Sequence, residues 1–437
     1  MTSQVVKTRR SLVALSVLGL AAGSRAFAAP QLAAEAKRTA DVTRTSNAWI
    51  EIDAEAFEHN LGQMRKAVGE RTPMCVVMKA DAYGHGIALL MPSIRKLKID
   101  CIGVTSNDEA RVARQAGFKG RVLRLRAATV DEMLAGMPYG FEEMLGNAAV
   151  ARELAAAARQ RGRTIAFHLA LNSGEMDRNG LEVDGEWGRT QAREILLLPG
   201  LKPVGIMTHF ALDDKAKVAT GLAEFERDAN ALIEQVGLRR ERIQLHAANS
   251  LLSVEMPESH FDMVRPGRAL YGYWPRPEAG FKKAMALKSR VASINEYKAG
   301  SGVSYDHAFV LQRDSRLANI PVGYSDGYRR VFGNKAHVLI HGKKLPIVGK
   351  ITMNTFMVDV TDLPDVKSGD EVVLYGRQGG AEITQRELQA IMNDILVDMA
   401  TPWAFANPRI LAPRRTDAAG KRAGLRRQPD TPDRRRA

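Results

Sequence analysis

Acidic residues are missing from the first 29 positions of this 437-residue chain, which carry Lys7, Arg9, Arg10 and Arg25. In residues 414–437 nine Lys and Arg outnumber Asp417, Asp430 and Asp433. These two ends account for ten of the fourteen net positive charges, so the body carries little of the basicity. A strongly basic binding face for nucleic acid is therefore not expected there. Long hydrophobic runs are scarce too. The longest, Leu12 to Ala22, is shorter than the ~20 apolar residues that a membrane-spanning helix requires. Cysteine is limited to Cys75 and Cys101, which allows one disulfide at most. No aromatic residue interrupts the basic tail, as stacking on nucleic-acid bases would require.

What is present is a globular composition, 45% hydrophobic and 26% charged. The length exceeds the ~250–300 residues at which single cores stop growing, so two domains are expected. The N-terminus, with its basic start, apolar run and Ala26-Phe27-Ala28 before Ala29, reads as an export signal (1–29) cleaved near Ala28 or Ala29. The Arg9-Arg10 pair also fits the twin-arginine route. A soluble periplasmic protein is the expectation. Residues 414–437 are nearly free of large apolar groups and read as a solvated, disordered tail.

From residue 70 onward, β-rich runs alternate with helical stretches. "PMCVVMKA", "CIGVTS", "RVLRLR", "FEEMLG", "TIAFHLAL", "KPVGIMTHF", "RIQLHAANS" and "FDMVRPG" supply eight strands, the pattern of a (β/α)8 TIM-type barrel over 57–280. A C-terminal all-β domain is expected over 281–411, where Gly, Pro and Asp separate short β-rich segments; the early strand at 47–56 is expected to join it. Cys75 and Cys101 open neighbouring strands and are placed to pair in an oxidising compartment; two buried thiols are the alternative.

Chemistry is expected at the strand C-termini, where Lys79, His209, Asn249 with Ser250, and Arg265 stand. A strand-end lysine is often a rim cation. A desolvated lysine amine, however, forms Schiff bases with aldehydes such as pyridoxal phosphate. Such a cofactor needs a phosphate site on the same face. "HAANS" offers the Ser250 hydroxyl, and "VRPGRALYG" offers the Gly267 and Arg268 amides.

"VVMKADAYGHG", "EMDRNGLE", "THF", "HAANS", "VRPGRALYGY", "GVSYDH", "VGYSDGY" and "ITMNTFMVDVTDL" stand in an order that resembles the alanine racemase family of pyridoxal 5'-phosphate enzymes, over residues 47–410. The resemblance implies that Lys79 carries the cofactor as a Schiff base. It further implies that Tyr83, Ser250, Gly267 and Arg268 contact its phosphate, with Asn249 beside them, and that Arg265 faces the pyridine nitrogen. Tyr305 would then be the second acid-base group, supplied by the partner of a homodimer with shared active sites. His209 and Arg265 would lower its pKa, which is ordinarily near ~10. Arg178, Met353 and Asn354 would bind the substrate.

Two positions depart from the family pattern. Where a carbamylated lysine is usual, counting seven back from Arg178 gives Leu171, leaving Asn172 and Asn179 to orient Arg178 directly or through an anion. The family's "MDQ" is here Met353-Asn354-Thr355. With the export signal and the cysteine pair, these departures resemble the periplasmic broad-specificity amino-acid racemases, which implies free amino acids such as lysine, arginine and alanine as substrates. A strict alanine racemase and a non-catalytic cofactor binder are the competing readings. Arg265, opposite the ring nitrogen where a carboxylate would be needed, disfavours a decarboxylase of the same barrel class.

Overall fold

The computed structural model describes residues 28–173, 180–212, 214–274, 276 and 279–413, with side chains from residue 37. The signal expected at 1–29 falls almost wholly outside the described residues, as do Arg178, Asn179 and the 414–437 tail. Residues 28–45 form one helix, Ala28–Thr45, a unit separate from the body that begins at Ser46. Among the described residues no helix is long and apolar enough to cross a membrane.

The body opens with Ala48–Ile52, whose residues are nearly all buried. Asp53 ends this strand and caps the next helix, Ala54–Val68, by accepting from the Ala56 amide at 2.8 Å. A parallel sheet of seven strands follows in strict chain order: Cys75–Val77, Cys101–Val104, Arg121–Arg124, Phe141–Leu145, Ile165–Ala170, Leu201–Met207 and Gln244–His246. The eighth position is taken by an extended segment, Val264–Pro266. It bonds back to the segment just past the seventh strand through Arg265 N to Ala248 O (2.8 Å). It bonds forward to the first through Cys75 N to Val264 O and Val77 N to Pro266 O (2.9 Å each). These bonds close the barrel. Pro266 has no N–H to give, so the segment makes a single isolated bridge rather than a ladder.

Beyond the barrel lies a β-rich domain built on a ten-stranded sheet. Ala48–Ile52 sits within it, antiparallel to Met285–Arg290 and parallel to Arg409–Leu411, so the strand before the barrel pairs with both ends of this domain. Two helices, Gln385–Met392 and Leu396–Ala406, interrupt its β pattern. The first starts at a capping box between Thr384 and Glu387.

Cys75 and Cys101 are direct partners in the register of the first two barrel strands, as their spacing suggested. The expected disulfide is absent from the structure, where both are buried free thiols packed with Leu123 and Met263.

Candidate active site

The strand Cys75–Val77 runs out of the barrel wall into Lys79, and the chain then turns left-handed. Ala80, Asp81, Ala82 and Tyr83 have φ between 51° and 59°. This conformation costs roughly 1–2 kcal/mol per non-glycine residue, so it persists only where other contacts hold it. Asp81 supplies them: its carboxylate accepts from Ile87 N at 2.7 Å and from Arg409 Nη1 at 2.5 Å, and its amide donates to Glu109 Oε1 at 3.1 Å. Glu109 is held in turn by the Thr105 and Ser106 amides. The turn presents Lys79 and Tyr83 to a cavity of about 410 Å³, within the ~300–1,000 Å³ usual for cofactor and ligand sites.

The cavity brings together Lys79, Tyr83, His209, Asn249, Ser250, Arg265, Gly267 and Arg268, eight of the residues singled out from the sequence. Ser250 Oγ accepts from the Gly267 amide at 2.8 Å and the Ala269 amide at 3.3 Å, drawing two loops into one cradle. Asn249 caps the helix Ser250–Glu255 through Oδ1 and donates to Phe210 O at 2.9 Å. Gly267 is required here by space. A Cβ at this position would lie 2.4 Å from the Tyr83 hydroxyl. That hydroxyl is pushed up from its ordinary pKa by burial, against the opposing pull of Arg268, and stays protonated as a donor. A hydroxyl pair, backbone amides and an arginine around a space that a methyl group would fill suit a phosphate. The half-buried Lys79 on the same rim suits an aldehyde.

Arg265 is buried at the cavity wall. It donates through Nη2 to Thr208 O at 2.8 Å and lies, through Nη1, 2.6 Å from His246 Nδ1. His246 is thus one close partner of Arg265, and His209, half-buried, lines the same cavity.

Tyr305 is not among the residues lining this cavity. It stands 68% exposed on the β-rich domain, on a turn in which Ser304, Asp306 and His307 all have positive φ (68°, 59° and 43°). That strain is held by the Lys350–Asp306 ion pair and by Ser304 Oγ bonding Lys350 O at 3.1 Å. A Cβ at Gly302 would meet the His307 ring at 2.4 Å. Met353, 55% exposed, and Asn354 also lie on the surface of this domain, with Asn354 Nδ2 donating to Ser325 Oγ at 2.9 Å.

The departure placed at Leu171 is corrected by strand alternation. His168 points into the barrel, so Ala170 shares its face and Leu171 faces outward. Ala170 packs against Met144 and Met207, both cavity-lining, while Leu171 belongs to the main core. Ala170 therefore stands on the cavity side. Asn172 donates to Glu182 Oε1 at 3.1 Å. Sequence reasoning missed Ile395 and Val397, which bring the β-rich domain to the cavity of the same chain.

Residues 52–275 match the alanine racemase N-terminal domain and residues 284–411 the alanine racemase C-terminal domain. A protein named broad specificity amino-acid racemase, from Aeromonas hydrophila subsp. hydrophila, is 50% identical over 92% of this chain and 98% of its own length. A lysine racemase from Proteus mirabilis is 44% identical over 84% of this chain and 90% of its own. The alanine racemase of Bartonella henselae, solved with covalently bound pyridoxal phosphate, superposes with a TM-score of 0.71 at 25% identity, covering 84% of this chain and all of that one. By both domains, this chain belongs to the alanine racemase family.

Proposed function

We propose that this protein is a pyridoxal 5'-phosphate-dependent racemase of free amino acids with broad specificity that includes lysine, arginine and alanine. The observation that carries the reading is the meeting of Lys79 with the Ser250–Gly267–Arg268 cradle and Arg265 around one cavity. The names of relatives 50% identical over 92% of this chain and 44% identical over 84% of it point the same way.

Pyridoxal phosphate, when bound, supplies an electron sink that acidifies the α-proton of an attached amino acid. Lys79 would hold its aldehyde carbon. Tyr83, Ser250, Gly267 and Arg268 would line its phosphate site. Arg265 would face its ring nitrogen. An arginine has only N–H donors and keeps its proton, so Arg265 cannot take up a proton shared with that nitrogen. This weakens the sink and favours return of the proton over side reactions.

Racemisation needs a proton carrier on each face of the substrate. Lys79 serves one face with its amine. Tyr305 serves the other from a partner subunit, because it is exposed in its own chain and does not line its own cavity. Met353 and Asn354, exposed on the same domain, would bind the substrate together with Arg178, which Asn172 and Asn179 would orient. Flexible walls at Met144 and Met207, which pack on the small Ala170, and the short Val397 leave room for long side chains. A strict alanine racemase is the alternative.

We further read the mature protein as periplasmic. In that oxidising compartment the register pair Cys75 and Cys101 would close to a disulfide. Borohydride treatment of the purified protein from residue 30 onward tests the site: it should fix one cofactor mass on the peptide containing Lys79. Label on another lysine, or none, would contradict the assignment.

A further inference from the structure

Inside the barrel, behind the cavity, four strands contribute polar side chains to one continuous column. Arg265 Nη1 lies 2.6 Å from His246 Nδ1, His246 Nε2 lies 2.8 Å from His168 Nδ1, and His168 Nε2 lies 2.8 Å from Glu142 Oε2. Glu142 closes the column by accepting from Arg121 Nε and Nη2, at 2.7 Å each. Arg121 Nη2 also donates to Gln244 Oε1 at 2.7 Å. Both histidines and Arg265 are buried, and the two rings meet edge to face at 4.8 Å.

The two ends of the column fix the direction of every bond. A guanidinium only donates, so His246 Nδ1 accepts. Its Nε2 then carries the hydrogen and donates to His168 Nδ1. His168 carries its hydrogen on Nε2 in turn and donates to Glu142, a carboxylate that only accepts. Each ring gives one bond and takes one, so each is neutral. Burial supports this by disfavouring the charged form of both, with Arg265 adding to the effect on His246. Arg121 and His168 outweigh burial at Glu142 and hold it ionised.

We propose that Glu142 is a positioning residue for Arg265. Through fixed tautomers of His168 and His246, it keeps an acceptor turned toward the guanidinium and so holds the guanidinium plane at the cavity wall. The catalytic consequence rests on the racemase reading; the tautomers do not.

Glu142→Gln makes the logic visible. The amide oxygen satisfies Arg121, and the amide N–H₂ then faces His168 Nε2, which must accept. The hydrogens of both rings move to Nδ1, and His246 meets Arg265 donor to donor. His168→Gln behaves differently, because its oxygen accepts from His246 while its N–H₂ donates to Glu142, preserving the direction.

The test is magic-angle-spinning nitrogen NMR of the holoenzyme labelled only at its nine histidines, with His168→Gln and His246→Gln for assignment. Nε2–H tautomers at both positions are expected. Glu142→Gln should invert or protonate them and lower kcat by about tenfold or more, with the far-UV spectrum unchanged. His246 should keep its tautomer in His168→Gln. An Nδ1–H or doubly protonated ring in the wild type overturns the proposal without needing any variant to fold. So do unchanged tautomers or unchanged kcat in folded Glu142→Gln. Tautomers as stated in a protein that racemises nothing would leave the column standing and remove the functional reading instead.

Discussion

Arg409 places Nη1 2.5 Å from Oδ2 of Asp81, two residues past the cavity lysine. The bond ties the last strand of the β-rich domain to the left-handed turn of the barrel. It explains how that turn is paid for, and why the β-rich domain also shapes the mouth of the cavity.

Breaking the bond should therefore act on stability and cofactor retention together. Asp81→Asn removes the partner of Arg409 and weakens the bond to Ile87 N. It should cost about 1.5–3 kcal/mol, the usual worth of hydrogen bonds to charged groups. Chemical denaturation read alongside cofactor absorbance checks this. A stable Asp81→Asn protein with full cofactor content would show that the turn stands without it.

Gly267→Ala should lower affinity for pyridoxal phosphate while leaving the fold intact, because the added methyl would lie 2.4 Å from the Tyr83 hydroxyl at the cradle. Equilibrium dialysis of cofactor against wild-type and variant protein measures the loss. Far-UV circular dichroism should not change.

Val397 predicts how breadth is set. Val397→Tyr should fill cavity space and lower kcat/KM for lysine by about tenfold or more relative to alanine, within the discrimination that steric pockets reach. Equal losses for both substrates would place the determinant elsewhere.

Acid should unfold the protein in two stages. His85 is buried against Tyr271 and Tyr273 and is held at about 4, chiefly by burial. His168 and His246 are lowered in the same way. Each takes up its proton near pH ~6.5 once unfolded. The unfolded state thus binds more protons below that value, and stability is lost as pH falls from about 6.5 toward 4. Glu142 follows. Burial raises its pKa, but His168 and Arg121 outweigh this and hold it at about 2, so its contribution is present above ~4.5 and lost below. Denaturant titrations at stepped pH read both windows. His85→Gln should flatten the first.

The lysine turn, the Ser250–Gly267 cradle and Arg265 were legible in the sequence because each is a local motif, in which a strand end, a cap or a glycine announces itself. The two-domain division was legible in the change from alternating strands and helices to short β segments. The column from Arg265 to Arg121 was not, because its members come from separate strands up to 144 positions apart in number and each alone reads as an ordinary polar residue. The exchange of Leu171 for Ala170 is the same lesson at short range: counting along a motif ignores which face of a strand a side chain takes, and His168 fixes that face. Ile395 and Val397 reach the cavity only through domain packing that no periodicity encodes.

Exposure of Tyr305 in its own chain predicts complementation between subunits. Lys79→Ala and Tyr305→Phe proteins should each be inactive alone. Mixed by unfolding and refolding together, they should regain activity, since one of the two sites in a mixed dimer then carries both Lys79 and Tyr305. No recovery despite mixed dimers would mean that each chain completes its own site.

The most direct measurement is the loss of optical activity of L-lysine, L-arginine and L-alanine, each alone, with purified protein and pyridoxal phosphate, beside the Tyr305→Phe protein. The wild type should racemise all three and Tyr305→Phe none. Racemisation of alanine alone would contradict broad specificity, and full activity in Tyr305→Phe would contradict the two-carrier site.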